Sequence, residues 1–398
     1  MNDFTRSEYR KLAETAADIP RRLRGNLKQT GERGTPVLLA GACYNGLWLE
    51  HNQDCYFACD ILPESAWESL KIVMDYQEPG GLLPYSLRFF PFTVGTAQLQ
   101  TVWSFARCAL ETARKLKRPE ADFARIYEAG IRYDNWLTTY RNHNKRGLVE
   151  MFCAFDTGHD NSLRVKDGGI PNACPERRAE NMPDIPAMPI ISVDLSAARY
   201  GGLTALAELA EMLDKSSEAN NLRLQADNLK NLIHEELYCA EDEFFYDRSQ
   251  NHWRKYRTEH ITRLFLNGAV DQELFDRIYE RYFANENEFF TPFPFPSVSA
   301  SDPSFNAEHP DNCWGGNTQM LTLLRAVLWM DKYGKGAELE ELMRRTLKAF
   351  LKFDNPFSQE LHPFTGKPIG DGENYTPALL FFRECCHRLK ILEKKRLR

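Results

Sequence analysis

A helical protein, its helices paired into antiparallel hairpins, is what the sequence predicts, and three observations carry that expectation. Apolar residues recur every three to four positions in segment after segment, while the two-residue alternation of a half-buried strand is almost absent. The helical segments come in pairs, some joined by turns as short as "DKSS" at 214–217. Other connections, at 79–95, 143–190, 284–315 and 353–374, are long and rich in aromatics, proline and glycine. Short turns at one end and long loops at the other fit a ring of about six helical hairpins, an (α/α)6 barrel, with a site at the long-loop end.

Taken in order, the charged start "MNDFTRSEYRKLAETAADIPRRLRGNL" lacks the apolar stretch of a signal peptide and reads as a helix over 7–28. A weaker helical pattern covers 44–60. "PESAWESLKIVMDYQ" opens on Pro63, which suits a first helical position because it has no N–H to waste there. "GTAQLQTVWSFARCALETARKL" and "EADFARIYEAGIRYDNWLTTYR" form the next pair, and "VDLSAARYGGLTALAELAEML" and "EANNLRLQADNLKNLIHEELY" another. Weaker segments follow at 256–267 and 271–283. "NTQMLTLLRAVLWMDKYG" then pairs with "AELEELMRRTLKAFLKF", and "YTPALLFFRECCHRLKILEKK" closes the set. No linker rich in Gly, Ser or Pro divides the chain, so a single domain over 1–398 is expected. No fixed repeat of solenoid type is visible.

Composition narrows the function. Apolar residues make up 43% and charged residues 27%, which excludes a disordered chain. A net charge of -6 and a pI near 5.9 argue against nucleic acid as a partner, and the basic run "KKRLR" reads as a solvated end. No apolar run approaches the roughly 18 residues that span a bilayer. The ten cysteines lack regular spacing and read as small buried hydrophobes in a reducing cytoplasm. Cys55 and Cys59 share a helix face, but no second pair follows at zinc spacing, so no metal site is expected. No glycine-rich phosphate loop opens a helix, so no organic cofactor is expected either.

The long loops carry sugar-binding chemistry. Trp48, Phe57, Tyr85, Phe89, Trp314 and Tyr375 stand beside Asp54, Gln98, Asp160, Asn161, Arg164 and Glu360. Aromatic faces stack on the C–H faces of a pyranose, and carboxylates and amides take its hydroxyls. Each aromatic alone reads as core packing; their pairing with polar loop residues points to a small sugar as the partner.

Two of these loops resemble a known family. "FDTGHDNSLR" is similar to Glu-Ser-Gly-Met-Asp-Asn-Ser-Pro-Arg, and "FSQELHPFTG" to Phe-x-Glu-x-Tyr-x-Pro-x-Thr-Gly. These are the two signatures of the inverting α-glycosidases built on an (α/α)6 barrel: processing α-glucosidases, trehalases and mannosylglycerate hydrolases. "NQDCYF" with Asp54, "VDLSAARYGGLTALAELAEML", "TPFPFPSVSASDPSF" and "CWGGNTQ" resemble further family segments in the same order. Departures occur: Gln53 replaces a tryptophan, the proline before Arg164 is missing, and "CWGGNTQ" lacks the usual arginine and second tryptophan, with Asn317 and Gln319 nearby instead.

The resemblance implies Asp160 as general acid and Glu360 as general base of an inverting hydrolysis, one on each face of the anomeric carbon. The acid must stay protonated near neutral pH, and Phe155 and Asp156 are expected to supply the apolar wall and negative charge this needs. Trp48, Asp54, Phe57, Tyr85, Gln98, Asn161, Arg164, Trp314, Asn317 and Tyr375 are expected to contact substrate, with Arg164 alternatively paired to Asp156 or Asp167. Asp54, Asp160, Trp314 and Glu360 are expected around one cavity. Two rivals remain: an epimerase or isomerase using His51, His159 and His362 as bases, and a carbohydrate-binding protein without turnover.

Overall fold

The computed structural model describes residues 4–30, 34–250, 252–308, 314–354, 356–370 and 374–394. Most of "KKRLR", Cys313 of "CWGGNTQ" and part of the 370–375 run lie outside the described residues. The chain packs as two compact units, 46–278 and a second made of 1–45 with 279–398.

The 46–278 unit is organised around the helix Val193–Met212, which buries Val193, Leu195, Leu203, Leu206 and Leu209. Apolar on nearly every side, it packs against Phe105–Lys115, Glu120–Tyr140, Ser216–Leu237 and Thr262–Asn267. Close approach requires small residues: a β-carbon at Gly130 would stand 2.6 Å from Leu206 Cδ2. Two small sheets frame the loops. Ser86–Phe89 lies between Gly46–Trp48 and Phe92–Gly95, all antiparallel. Glu150–Met151, Ile190–Ile191, Asp247–Ser249 and His252–Arg254 form a four-stranded ladder.

In the other unit, Arg6–Gly25 starts with a capping box. Thr5 Oγ1 accepts from Glu8 N at 3.3 Å, and Glu8 accepts from Thr5 N at 2.6 Å; such caps stabilise a helix by about 1 kcal/mol. This helix packs on Thr376–Arg388, which also meets Met320–Lys332 and Gly336–Lys352. An aromatic cluster of Phe283, Phe289, Phe295 and Trp329 fills its core, with Phe283 stacked on Phe289 at 4.7 Å. Thr318–Gln319, Glu360–Leu361 and Pro368–Ile369 form a three-stranded sheet.

Three expectations change. The 44–60 segment is a strand, a 3-10 turn Leu49–His51 and only then a helix, Asn52–Ala58. Helix over 95–116 begins at Phe105, where Ser104 caps it; residues 96–103 are extended or irregular because Thr96, Ala97 and Leu99 give their backbone groups to residues 179, 174 and 156. The 256–267 helix is confined to Thr262–Asn267 behind a 3-10 turn. The strands, of two to four residues, are too short to leave a period-two signal.

Candidate active site

The loop carrying Asp160 is folded around Asp156. The Asp156 carboxylate accepts from the backbone N–H of Leu99 at 2.8 Å, Phe152 at 2.8 Å and Cys153 at 3.2 Å, and from both terminal nitrogens of Arg141. It is wholly buried. The chain then turns through two left-handed residues, Gly158 at φ +71° and Asn161 at φ +65°, which lift Asp160 between them. Asp160 is partly exposed yet densely surrounded. Burial, and then the negative charge of Glu50, push its carboxyl up to about 7 against the opposing pull of Lys166. A carboxyl with that affinity can give or take a proton at neutral pH. The charge expected from Asp156 thus comes from Glu50, because Asp156 is committed to Arg141 and the backbone.

Arg164 does not face a ligand. Nε and Nη2 bind Asp247 at 2.8 and 3.0 Å, Nη1 and Nη2 bind Asp194 at 3.0 and 2.9 Å, and Nη1 also reaches His159 Nδ1 at 2.9 Å. All five of its N–H donors are used, so none is left for a sugar hydroxyl. The expected pairing with Asp156 or Asp167 is likewise replaced by Asp194 and Asp247. Arg263 joins the same lattice through Asp194 at 2.8 Å and the Thr157 carbonyl at 2.5 Å. His159 sits within it, its Nε2 at 2.6 Å from Glu259, and burial beside Arg263 pushes it down to about 4.

The histidines expected of an isomerase all have polar neighbours. Both nitrogens of buried His159 are engaged, His51 Nδ1 lies 3.0 Å from Asp54, and His362 Nδ1 accepts from the backbone of its own turn at Phe364.

Near Glu50 the structure gathers several expected residues. Leu49 N donates to the Tyr85 carbonyl at 2.8 Å, and Trp48 pairs with Ser86, so the small sheet holds Trp48, Glu50 and Tyr85 together. Trp48 is half-buried, with the Arg88 guanidinium 6.0 Å from its ring centre. Asp54 accepts from Gln53 Nε2 at 3.0 Å, and Gln98 reaches Glu50 through Gln100. Phe57 and Phe89 are buried, Phe57 edge-on to Tyr56 and Phe89 tilted against Phe92. Asn161 is exposed. Sequence reasoning passed over Glu50, one more acid in a segment where Asp54 carries the resemblance.

In the other unit, Glu360 stands in the short sheet opposite Gln319, fully buried. Asn317 Nδ2 donates to its Oε2 at 2.8 Å. Neighbouring Gln359 accepts from the Tyr44 hydroxyl, and Tyr44 lies 6.1 Å ring to ring from Tyr375. Asn317 and Tyr375 are therefore gathered around the Glu360 strand, and both are buried, as is Trp314.

Cys153, Asp156 and Cys174 are close enough to hold a metal ion, but the Arg141 guanidinium already occupies the Asp156 carboxylate and would repel a cation. Burial pushes Cys55 upward and Cys59 to about 11, which keeps both as thiols. Among the described residues no helix is long and apolar enough to cross a membrane.

The sequence model for the mannosylglycerate hydrolase MGH1-like glycoside hydrolase domain matches residues 60–376. No curated protein matches the chain. Among solved structures, the chain is similar to the GH63 mannosylglycerate hydrolase from Thermus thermophilus in complex with glucose. The two are 18% identical over 93% of this chain and 99% of that one, with a TM-score of 0.72. The same enzyme in complex with Tris and D-glycerate gives 0.71 at 18% identity over the same shares. Neutral trehalase from Saccharomyces cerevisiae gives 0.67 at 14% identity, over 96% of this chain and 82% of that one. The fold is that of the (α/α)6-barrel glycosidases, as the pattern of hairpins predicts.

Proposed function

Since this chain belongs to the mannosylglycerate hydrolase MGH1-like glycoside hydrolase family, we propose that it hydrolyses a small α-linked glucoside or mannoside with inversion, Asp160 acting as general acid and Glu360 as general base. The observation that carries this reading is Asp160 itself. A carboxyl raised to about 7 is half protonated where a hydrolase works, and it lies in the loop that resembles the family's acid-bearing signature. Protonated Asp160 gives its proton to the leaving oxygen as the glycosidic bond breaks. Glu360 takes a proton from the water that attacks the opposite face. The base needs no raised affinity, only a carboxylate held in place, and Asn317 serves that purpose. Trp48, Tyr85, Asp54 and Gln98 are proposed to shape the sugar subsite, with Trp314 and Tyr375 lining the base side. The family match runs through both compact units, which supports treating them as one catalytic domain. Cysteines packed as small buried hydrophobes, such as Cys55, Cys108 and Cys385, fit a reducing compartment such as the cytoplasm.

The test is a panel of α-glucosides and α-mannosides, including α,α-trehalose and α-mannosyl-glycerate, with the product anomer followed by NMR in the first minutes. Inversion requires the β-sugar to appear first, before mutarotation mixes the anomers. Early release of the α-anomer would mean a covalent intermediate and would remove Glu360 from the role of base. An interconverted sugar without hydrolysis would favour the isomerase instead. A sugar complex gives a second check, since an inverting pair stands roughly 6.5–9.5 Å apart and a retaining pair about 5–5.5 Å.

A further inference from the structure

Glu50 is held with more care than a surface acid needs. The 3-10 turn that carries it is anchored by Leu49 N on the Tyr85 carbonyl at 2.8 Å. Its Oε1 accepts from Gln100 Nε2 at 2.7 Å, and Gln100 Oε1 accepts in turn from Gln98 Nε2 at 2.9 Å. Gln100 adopts a left-handed backbone, φ +49°, to make this reach. Gly158, two residues before Asp160, lies directly against the carboxylate: a β-carbon there would sit 2.2 Å from Glu50 Oε2. Glu50 is almost fully buried, at 9% exposure, so its field acts on the acid loop through protein rather than through water.

We propose that Glu50 is a positioning residue for the acid: its carboxylate, clamped by Gln100 beneath the Gly158 turn, holds Asp160 in the protonated form and so sets the upper pH limit of turnover. The inference rests on the reading of Asp160 as general acid. Glu50 and Lys166 act oppositely on the Asp160 carboxyl. Glu50, from the 49–51 turn, favours the proton; Lys166, from the short helix after the acid loop, opposes it. A carboxylate beside a second carboxyl makes ionisation of both costly, so the second holds its proton to higher pH.

Glu50→Gln removes the charge while its amide oxygen can still accept from Gln100. The Asp160 carboxyl should then titrate roughly one pH unit lower, read by carbon-13 NMR on protein labelled at aspartate. The basic limb of kcat/KM, measured on an unactivated substrate such as α,α-trehalose or α-mannosyl-glycerate, should move down with it. Lys166→Met should move both in the opposite direction, and this partly exposed position gives a readout even if the Glu50 variant folds poorly. A purely structural Glu50 would lower activity at every pH without displacing the limb, and that result overturns the proposal. The two readings fail separately. If Asp160→Asn keeps full activity, the acid assignment is lost; if Asp160→Asn is inactive while the Asp160 titration ignores both Glu50→Gln and Lys166→Met, only the role of Glu50 is lost.

Discussion

Asp160→Asn and Glu360→Gln are each expected to lower kcat at least about a hundredfold, the usual contribution of a general acid or base, while leaving the thermal unfolding midpoint nearly unchanged. The two losses should differ in kind. An asparagine cannot protonate the departing oxygen, so the deficit of Asp160→Asn should shrink on an aryl glycoside whose leaving group departs well as an anion. Glu360→Gln removes activation of water, which every substrate needs, so its deficit should be the same on both. Comparing a nitrophenyl glycoside with a natural disaccharide therefore separates the roles within one experiment. Near-normal turnover of the disaccharide by either variant would strike that residue from the mechanism.

Arg164→Met is expected to destabilise the protein by about 3–5 kcal/mol, the range seen when one partner of a buried ion pair is removed. The side chains of Arg164, Asp194 and Asp247 are at most 1% exposed, and the loss of this guanidinium takes an arginine from both buried carboxylates, Asp194 keeping Arg263. Arg164→Lys should recover little, because an ammonium cannot reproduce five donors in a plane. Denaturant unfolding measures the effect, and a midpoint equal to that of the parent chain would show the lattice to be dispensable. The same lattice gives the fold an acid limit. His159 is pushed down to about 4 and His260 to about 3, both chiefly by burial, below the ordinary value near 6.5. Below pH 6.5 the unfolded chain takes up protons that the folded one refuses, so stability falls as pH drops from about 6.5 towards 3. Asp194, held well below the carboxylate range by Arg164 and Arg263 against the cost of its burial, loses its contribution in the same direction.

The helices were legible where packing simply reinforced a local pattern, as in Glu120–Tyr140 and Val193–Met212. They were misread where a distant partner claimed the backbone. Residues 46–48 alternate poorly, yet they form a strand because 86–89 lies alongside. Residues 96–103 have helical spacing, but Thr96, Ala97 and Leu99 pair with Ala179, Cys174 and Asp156. The site divides the same way. Asp160 was visible as part of a motif and was expected to hold its proton, whereas the source of that affinity was not visible, since it comes from burial and then from Glu50, which lies 110 positions away in "LEH". Arg164 was visible as a cation near a sugar motif; only the fold brings in Asp194 and Asp247, which use up its donors.

The contact between Gly158 and Glu50 also constrains how this sequence can change. Alanine at 158 meets two obstacles, a left-handed backbone that costs roughly 1–2 kcal/mol and a collision with Glu50 Oε2. The first is a fixed backbone cost, whereas the second falls on the far end of a side chain, so Glu50 must shift unless position 50 has been shortened beforehand. Gly158→Ala should therefore cost less in a Glu50→Ser background than in the parent chain. The two positions are epistatic, and a double-mutant cycle should return a coupling far from zero. Loss of the glycine is easier once the acid beneath it has been given up.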